Sequence, residues 1–180
     1  MMKNVAIFCA SSFPENAIYA EEAEKLGKML ALSGTGVVYG GTSTGLMDVV
    51  ASAALRNGGK VTGVITEFLA GRKIVKHECT ELITVETLSE RKAKMLEISD
   101  GVIALPGGCG TLDELFEALT LIYFNLFKYP VGLLNTDGYY DLLTDFLKKS
   151  VAEKFMQPEL MQKLIIASQV EELLNKMIIL

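Results

Sequence analysis

Residues 101–114 narrow the possible folds more than any other stretch. Val102-Ile-Ala-Leu105 is an apolar run too short for a helix and reads as a buried strand. Pro106 ends its hydrogen bonding, and Gly107, Gly108 and Gly110 allow a sharp turn that brings bare N–H groups close to a ligand. Thr111 is placed to cap a helix that continues through Asp113, Glu114, Leu115 and Phe116. Strand, glycine turn and helix start, in that order, make an anion site, because unpaired amides and the helix dipole point at one spot.

Asp113 and Glu114 fall in the first turn of that helix, beside the expected anion. One reading of them is local: Thr111-x-x-Glu114 forms a capping box, and acids in a first turn favour the dipole. The other gives Glu114 a catalytic role. This stretch alone does not choose between them.

The same rhythm recurs along the chain. Val5-Ala-Ile-Phe-Cys-Ala10 is a strand ending in Ser11-Ser12-Phe13-Pro14, where Ser12 is expected to cap and Pro14 to open a helix that Gly34 ends. Val37-Val38-Tyr39 leads into Gly40-Gly-Thr-Ser-Thr-Gly-Leu-Met47, a second glycine-rich strand-to-helix turn, with its helix closed by Gly58-Gly59. Further strands are expected at 61–65, 82–85, 131–135 and 164–167. Helices are expected at 88–99, 139–151 and from a Ser168 cap to about Met177, with a loop of one helical turn over 66–80. The strands are continuous apolar runs rather than alternating ones. The fold class is therefore α/β: a Rossmann-like, doubly wound, mostly parallel sheet of about six to seven strands with helices on both faces. No repeat or linker divides the chain, so residues 1–180 are expected to form one domain. Ligands in such folds bind beyond the carboxyl ends of the strands, where both glycine turns and Ser11-Ser12 belong.

Composition limits the partners. The longest apolar runs fall short of a membrane span, and the chain enters its first strand almost at once, so a cytoplasmic location is expected. A net charge of −5 gives no support to nucleic-acid binding, although it leaves room for a local basic pocket. Cys9, Cys79 and Cys109 are far apart and form no C-x-x-C, which argues against a disulfide framework or a zinc site. Cys109 reads as a small loop residue rather than a nucleophile, because the sole histidine, His77, is distant in sequence and itself reads as structural.

The helix before the focal strand carries a cation where an apolar residue is expected. Leu88, Met95 and Ile98 form one stripe at helical spacing, and Arg91 lies within it with Lys92 beside it. An inward guanidinium needs an anion, since an unpaired buried charge is very costly. That anion is either a structural carboxylate or a ligand phosphate. Placed together, Arg91, the glycine turn and Glu114 would make a site with one region for an anion and another for a developing cation. A nucleoside monophosphate losing its base has both, since a carboxylate stabilises an oxocarbenium-like sugar.

Ser89-Glu-Arg-Lys-Ala-Lys-Met95 and Pro106-Gly-Gly-Cys-Gly-Thr-Leu-Asp-Glu114 resemble the two signature motifs of the Lonely Guy (LOG) family, the cytokinin riboside 5′-monophosphate phosphoribohydrolases and their bacterial relatives. Tyr39-Gly-Gly-Thr-Ser-Thr-Gly-Leu-Met47 is similar to the family's YGGxxxGLM turn, Phe8-Cys-Ala-Ser-Ser12 to its first strand end and Gly132-Leu-Leu-Asn-Thr-Asp-Gly-Tyr-Tyr140 to a later one. The resemblance implies a homodimer that hydrolyses an AMP-like nucleotide to free base and ribose 5-phosphate without metal or organic cofactor. It implies that Arg91 and Glu114 are the catalytic pair. It places Ser12, Gly40, Gly41, Thr44, Gly45, Lys92, Gly107, Gly108, Cys109, Gly110, Thr111 and Thr120 around the nucleotide. Three positions depart from the pattern: Leu88-Ser89 replaces Met-His, Asp48 replaces a glycine, and Lys73 stands where many relatives have a substrate-contacting glutamate.

Other readings use the same residues. A non-catalytic nucleotide-binding module could be built from these loops, since fold does not fix function. A pyridoxal-phosphate decarboxylase, a label often attached to such sequences, finds no marked Schiff-base lysine. The acidic balance disfavours a DNA-binding relative. A dimer has separate support, because residues 115–127 are apolar almost all round and one side of that helix is expected to face a second subunit.

Overall fold

The computed structural model describes residues 2–72 and 74–177, so the expectation for Lys73 lies outside the described residues. Along the chain run β1 (Asn4–Phe8), α1 (Ile18–Leu32), β2 (Gly36–Tyr39), α2 (Gly45–Arg56), β3 (Val61–Thr66), the short α3 (Glu67–Ala70), β4 (Glu81–Val85) and α4 (Leu88–Glu97). Then come β5 (Val102–Ala104), α5 (Cys109–Tyr123), β6 (Val131–Leu134), a 3-10 turn at Thr136–Gly138, α6 (Asp141–Ala152), α7 (Pro158–Lys163), β7 (Leu164–Ala167) and α8 (Val170–Lys176).

The strands form one sheet in the order β4-β3-β2-β1-β5-β6-β7, every pair parallel. β1 is central, with Ala6 in register with Val38 on one side and Val102 on the other. From β1 the chain winds outward through β2 and β3 to β4, then returns to place β5 on the opposite flank. The winding direction therefore reverses between β1 and β5, which is where such sheets open a crevice.

Continuous apolar strands are buried on both faces, as a parallel sheet requires. α1, α2 and α8 cover one face through Leu26, Leu30, Val50, Ala54 and Leu173. α4, α5 and α6 cover the other through Met95, Leu96, Leu115, Ala118 and Leu147, with Leu160 of α7 beside them. β4, at the edge, is the least buried strand. Among the described residues no helix is long and apolar enough to cross a membrane.

Several helix starts differ from the sequence expectation. α1 begins at Ile18 rather than at Pro14, because the Asn16 side chain accepts the Ile18 N–H at 3.2 Å while Ser12 and Pro14 remain outside the helix. Gln169, not Ser168, precedes α8. α7 leaves little trace in the sequence: six residues are too few to show a period, and Pro158 at its start is the one cue. Leu88 is exposed and leaves the inward stripe of α4, which consists of Arg91, Met95 and Leu96.

Candidate active site

The ends of β1 and β5 are tied together by backbone bonds. Leu105 N–H donates to the Phe8 carbonyl at 2.9 Å, and Ala10 N–H donates to the Pro106 carbonyl at 3.2 Å. The Met47 N–H in turn donates to the Ala10 carbonyl at 3.3 Å, which binds the start of α2 to the same point. Above this junction lies a cavity of about 280 Å³ walled by Ser11-Ser12, Met47, Arg91, residues 108–111 and Glu114. A second cavity of about 460 Å³ adjoins it across Ala10, Ser12 and Gly108, with Tyr19, Tyr139 and Leu46 on its walls.

The focal turn is built differently from the sequence reading. α5 already starts at Cys109, with Gly108 as its extended N-cap and no side chain capping it. Thr111 therefore lies inside the first turn, buried against Gly107, and the capping box with Glu114 does not form. Gly107, Gly108 and Gly110 take no left-handed conformation. A Cβ on Gly108 or Gly110 would meet nothing, so the protein does not itself demand glycine there; what those positions keep clear is the space over the helix start. An uncapped N-terminus leaves its first N–H groups and the positive end of the dipole facing that space. Two tyrosines hold the turn from behind: Tyr140 Oη donates to the Leu105 carbonyl at 2.7 Å and Tyr139 Oη to the Gly107 carbonyl at 2.9 Å.

Arg91 reaches the cavity from α4. Its Nε donates to the Val64 carbonyl on β3 at 2.9 Å, and its Nη1 approaches Glu114 Oε1 at 3.4 Å. The guanidinium lies directly on Gly40, where a Cβ would overlap it. Burial lowers the Arg91 pKa from the usual arginine value, partly countered by Glu114, yet arginine remains a cation at neutral pH. For Glu114 burial dominates and pushes the carboxyl up to about 7, while Arg91 pulls it back. One long contact at 3.4 Å offsets only part of that desolvation. A carboxyl whose pKa lies near neutral pH, beside a fixed cation and in a crevice, makes Glu114 a candidate acid–base or charge-stabilising group.

The remaining expected residues divide clearly. Ser12, Gly108, Cys109, Gly110 and Thr111 line the cavity with Arg91 and Glu114. Gly107 and Gly40 stand behind it, one against Thr111 and the other under Arg91. Gly41, Thr44 and Gly45 are not on its wall; Gly45 has φ +57° and packs against the Ser11–Ser12 backbone, so it shapes the neighbouring loop. Lys92 also lies off the wall, since its ammonium is held by Asp113 at 2.8 Å and Glu117 at 2.5 Å. Burial opposes the charge on Lys92, but these hydrogen bonds prevail and hold its pKa above the ordinary lysine value. Thr120 is exposed, six residues beyond Glu114 on α5, with its hydroxyl donating to the Phe116 carbonyl at 2.7 Å. Cys9, Ala10, Ser11 and Met47 line the cavity without having been singled out, though the last two sit in turns the sequence marked. The buried Cys9 thiol is pushed up by desolvation and stays neutral. Cys109 is exposed at the start of α5 and His77 is exposed in the 74–80 loop. Among the described residues no group of three or more His, Cys, Asp or Glu is arranged to hold a metal.

A doubly wound sheet with an uncapped helix start at its switch point defines the Rossmann-like class. Solved structures share that architecture. The molybdenum cofactor binding protein of Rippkaea orientalis has a TM-score of 0.70 at 25% identity, over 96% of this chain and 92% of that one. The molybdenum cofactor carrier protein of Chlamydomonas reinhardtii has a TM-score of 0.72 at 20% identity, over 96% of this chain and 94% of that one, and shows the shared fold alone. The family described as "Possible lysine decarboxylase" matches residues 47–177. The probable cytokinin riboside 5′-monophosphate phosphoribohydrolase LOGL2 of Oryza sativa subsp. japonica is 42% identical over 97% of this chain and 72% of its own length. The cytokinin riboside 5′-monophosphate phosphoribohydrolase LOG1 of Arabidopsis thaliana is 39% identical over 97% of this chain and 82% of its own length. The chain belongs to the LOG family.

Proposed function

We propose that this protein is a nucleoside 5′-monophosphate phosphoribohydrolase, cleaving the N-glycosidic bond of an AMP-like nucleotide, of the cytokinin riboside type, to free base and ribose 5-phosphate. The observation that carries this reading is the meeting of Arg91 and Glu114 at 3.4 Å beside the uncapped start of α5. The amides of residues 109–111 and the hydroxyl of Ser12 receive the phosphate, and Arg91 adds a fixed positive charge. The ribose then lies over Glu114. The C1′–N bond breaks with its electron pair leaving on the base nitrogen, and the carboxylate stabilises the cation growing at C1′. Water adds to C1′, its proton passing to Glu114 and from there to solvent, while the departing base takes up one proton from solvent, so that the carboxylate is regenerated. Arg91 binds the substrate and favours the ionised form of Glu114.

The protein works as a single nucleotide-binding domain in a cytoplasmic homodimer, without nucleic acid as partner. Support for the dimer comes from the end of α5 and the residues after it, where Tyr123, Phe124 and Leu126 are all exposed. Incubation with AMP and with N6-substituted AMP, followed by chromatography of the bases, tests the activity. Release of base that disappears in Glu114→Gln, with nucleotide still bound, is the expected result. Turnover unchanged in that variant would remove the assignment, and nucleotide binding without any release would leave a carrier or sensor.

A further inference from the structure

Among the described residues two charged side chains are buried, Arg91 at 7% exposure and Lys76 at 8%. Arg91 belongs to the cavity; Lys76 does not line it. A buried ammonium needs partners, and Lys76 Nζ has Asp48 Oδ1 at 2.7 Å and Ser52 Oγ at 2.8 Å. Asp48 and Ser52 stand one turn apart on α2, and the serine hydroxyl also donates to Asp48 at 3.3 Å.

The backbone around Lys76 is docked as well. Ser43 N–H donates to the Ile74 carbonyl at 2.7 Å, Lys76 N–H donates to the Gly41 carbonyl at 3.0 Å, and Thr42 pairs with Val75 in an antiparallel bridge. Residues 74–76 thus lie along the turn that joins β2 to α2. From that turn contacts run straight to the cavity. Thr42 Oγ1 lies 3.3 Å from Met47 Sδ, and Gly40 sits against both the Met47 sulfur and the Arg91 guanidinium.

We propose that Lys76 and Asp48 are positioning residues: their ion pair clamps residues 74–76 onto the 40–44 turn and so sets where Met47 and Arg91 stand around the bound nucleotide. The proposal rests on the reading of the cavity as a nucleotide site. It also predicts an asymmetry. Asp48 is 32% exposed at its side chain and Lys76 only 10%, so removing the ammonium leaves a carboxylate that water can reach, whereas removing the carboxylate strands a buried cation.

Steady-state kinetics with AMP, calorimetric AMP binding and cleavage of the 74–80 loop after Glu78 by a glutamate-specific protease test this in Asp48→Asn and Lys76→Met. Expected are a KM raised about tenfold in Asp48→Asn, a smaller rise in Lys76→Met, kcat within about twofold of the parent in both, and faster cleavage of the loop. KM unchanged in both variants, or kcat falling in step with KM, overturns the proposal. Should Asp48→Asn fail to fold, Lys76→Met decides alone, since its methionine retains the buried stem. If the parent protein releases no base from any nucleotide, the proposed activity fails while the clamp stands or falls on AMP affinity, weakened in the variants or unchanged.

Discussion

Gly40 and Arg91 touch so closely that a single added methyl on the glycine would overlap the guanidinium. Gly40 takes no left-handed conformation, so the requirement for glycine here is space. Gly40→Ala should therefore fold, tilt Arg91 off its Val64 tether, and lower kcat/KM for nucleotide cleavage about 100-fold, the usual cost of misplacing a group by an ångström. Retained activity with unaltered melting temperature would show that the guanidinium has slack.

Glu114 couples the site to pH. Its folded pKa of about 7 exceeds the ordinary 4.5, so the native state binds the proton more tightly than the unfolded chain. The stability this contributes is fully present below pH 4.5 and is lost as pH rises through about 7. Differential scanning calorimetry should show the parent losing stability relative to Glu114→Gln across that interval, by a few kcal/mol in total. A constant difference between the two would contradict the raised pKa.

The same ionisation governs turnover. With the carboxylate as the working form, kcat/KM should rise with pH to a plateau above about 7, following the Glu114 pKa. In the kcat profile, which reports the complex, the bound substrate phosphate moves the midpoint upward, since like charges disfavour ionisation. A profile falling with pH through that range would make Glu114 a proton donor instead.

Arg91→Ala removes one partner of a buried pair and leaves the Val64 carbonyl without its side-chain donor. Destabilisation of about 3 kcal/mol is expected, together with a further rise of the Glu114 pKa. Arg91→Lys should fail to rescue activity, because an ammonium cannot donate to Val64 and Glu114 in the guanidinium's fork geometry. Thermal unfolding and base-release assays on both variants check this.

Phe124, at the end of α5, is 62% exposed on a helix whose other side packs into the sheet. Sedimentation at micromolar concentration should give a dimer, and Phe124→Glu should shift it toward monomer. A parent protein that sediments as a monomer would count against the dimer.

Much of the architecture was legible because parallel strands, buried on both faces, announce themselves as short apolar runs. Arg91 was visible for the related reason that a cation at an apolar stripe position needs an explanation. Helix starts were less legible. At Thr111 and Ser12 the sequence offered a good capping residue, but the chain became helical earlier at Cys109 and later at Ile18, because neighbouring backbone and Asn16 decided the matter. Lys92 was legible as a charge but not by its partners: Asp113 and Glu117, one turn apart on the facing helix, hold its ammonium. Pairing across elements leaves no periodic trace. The Lys76–Asp48 pair, 28 residues apart, was invisible in the same way, although Asp48 stood out as an unusual residue in its motif.

The sheet order has a last consequence. Arg91 is tethered to β3 and Glu114 rises from the helix after β5, so two strands, β2 and β1, lie between their supports. Those strands act as a spacer of fixed width, about 4.8 Å for each step across the sheet. Val38 and Ala6, neither of which lines the cavity, therefore help to gauge the gap across which the two charges meet.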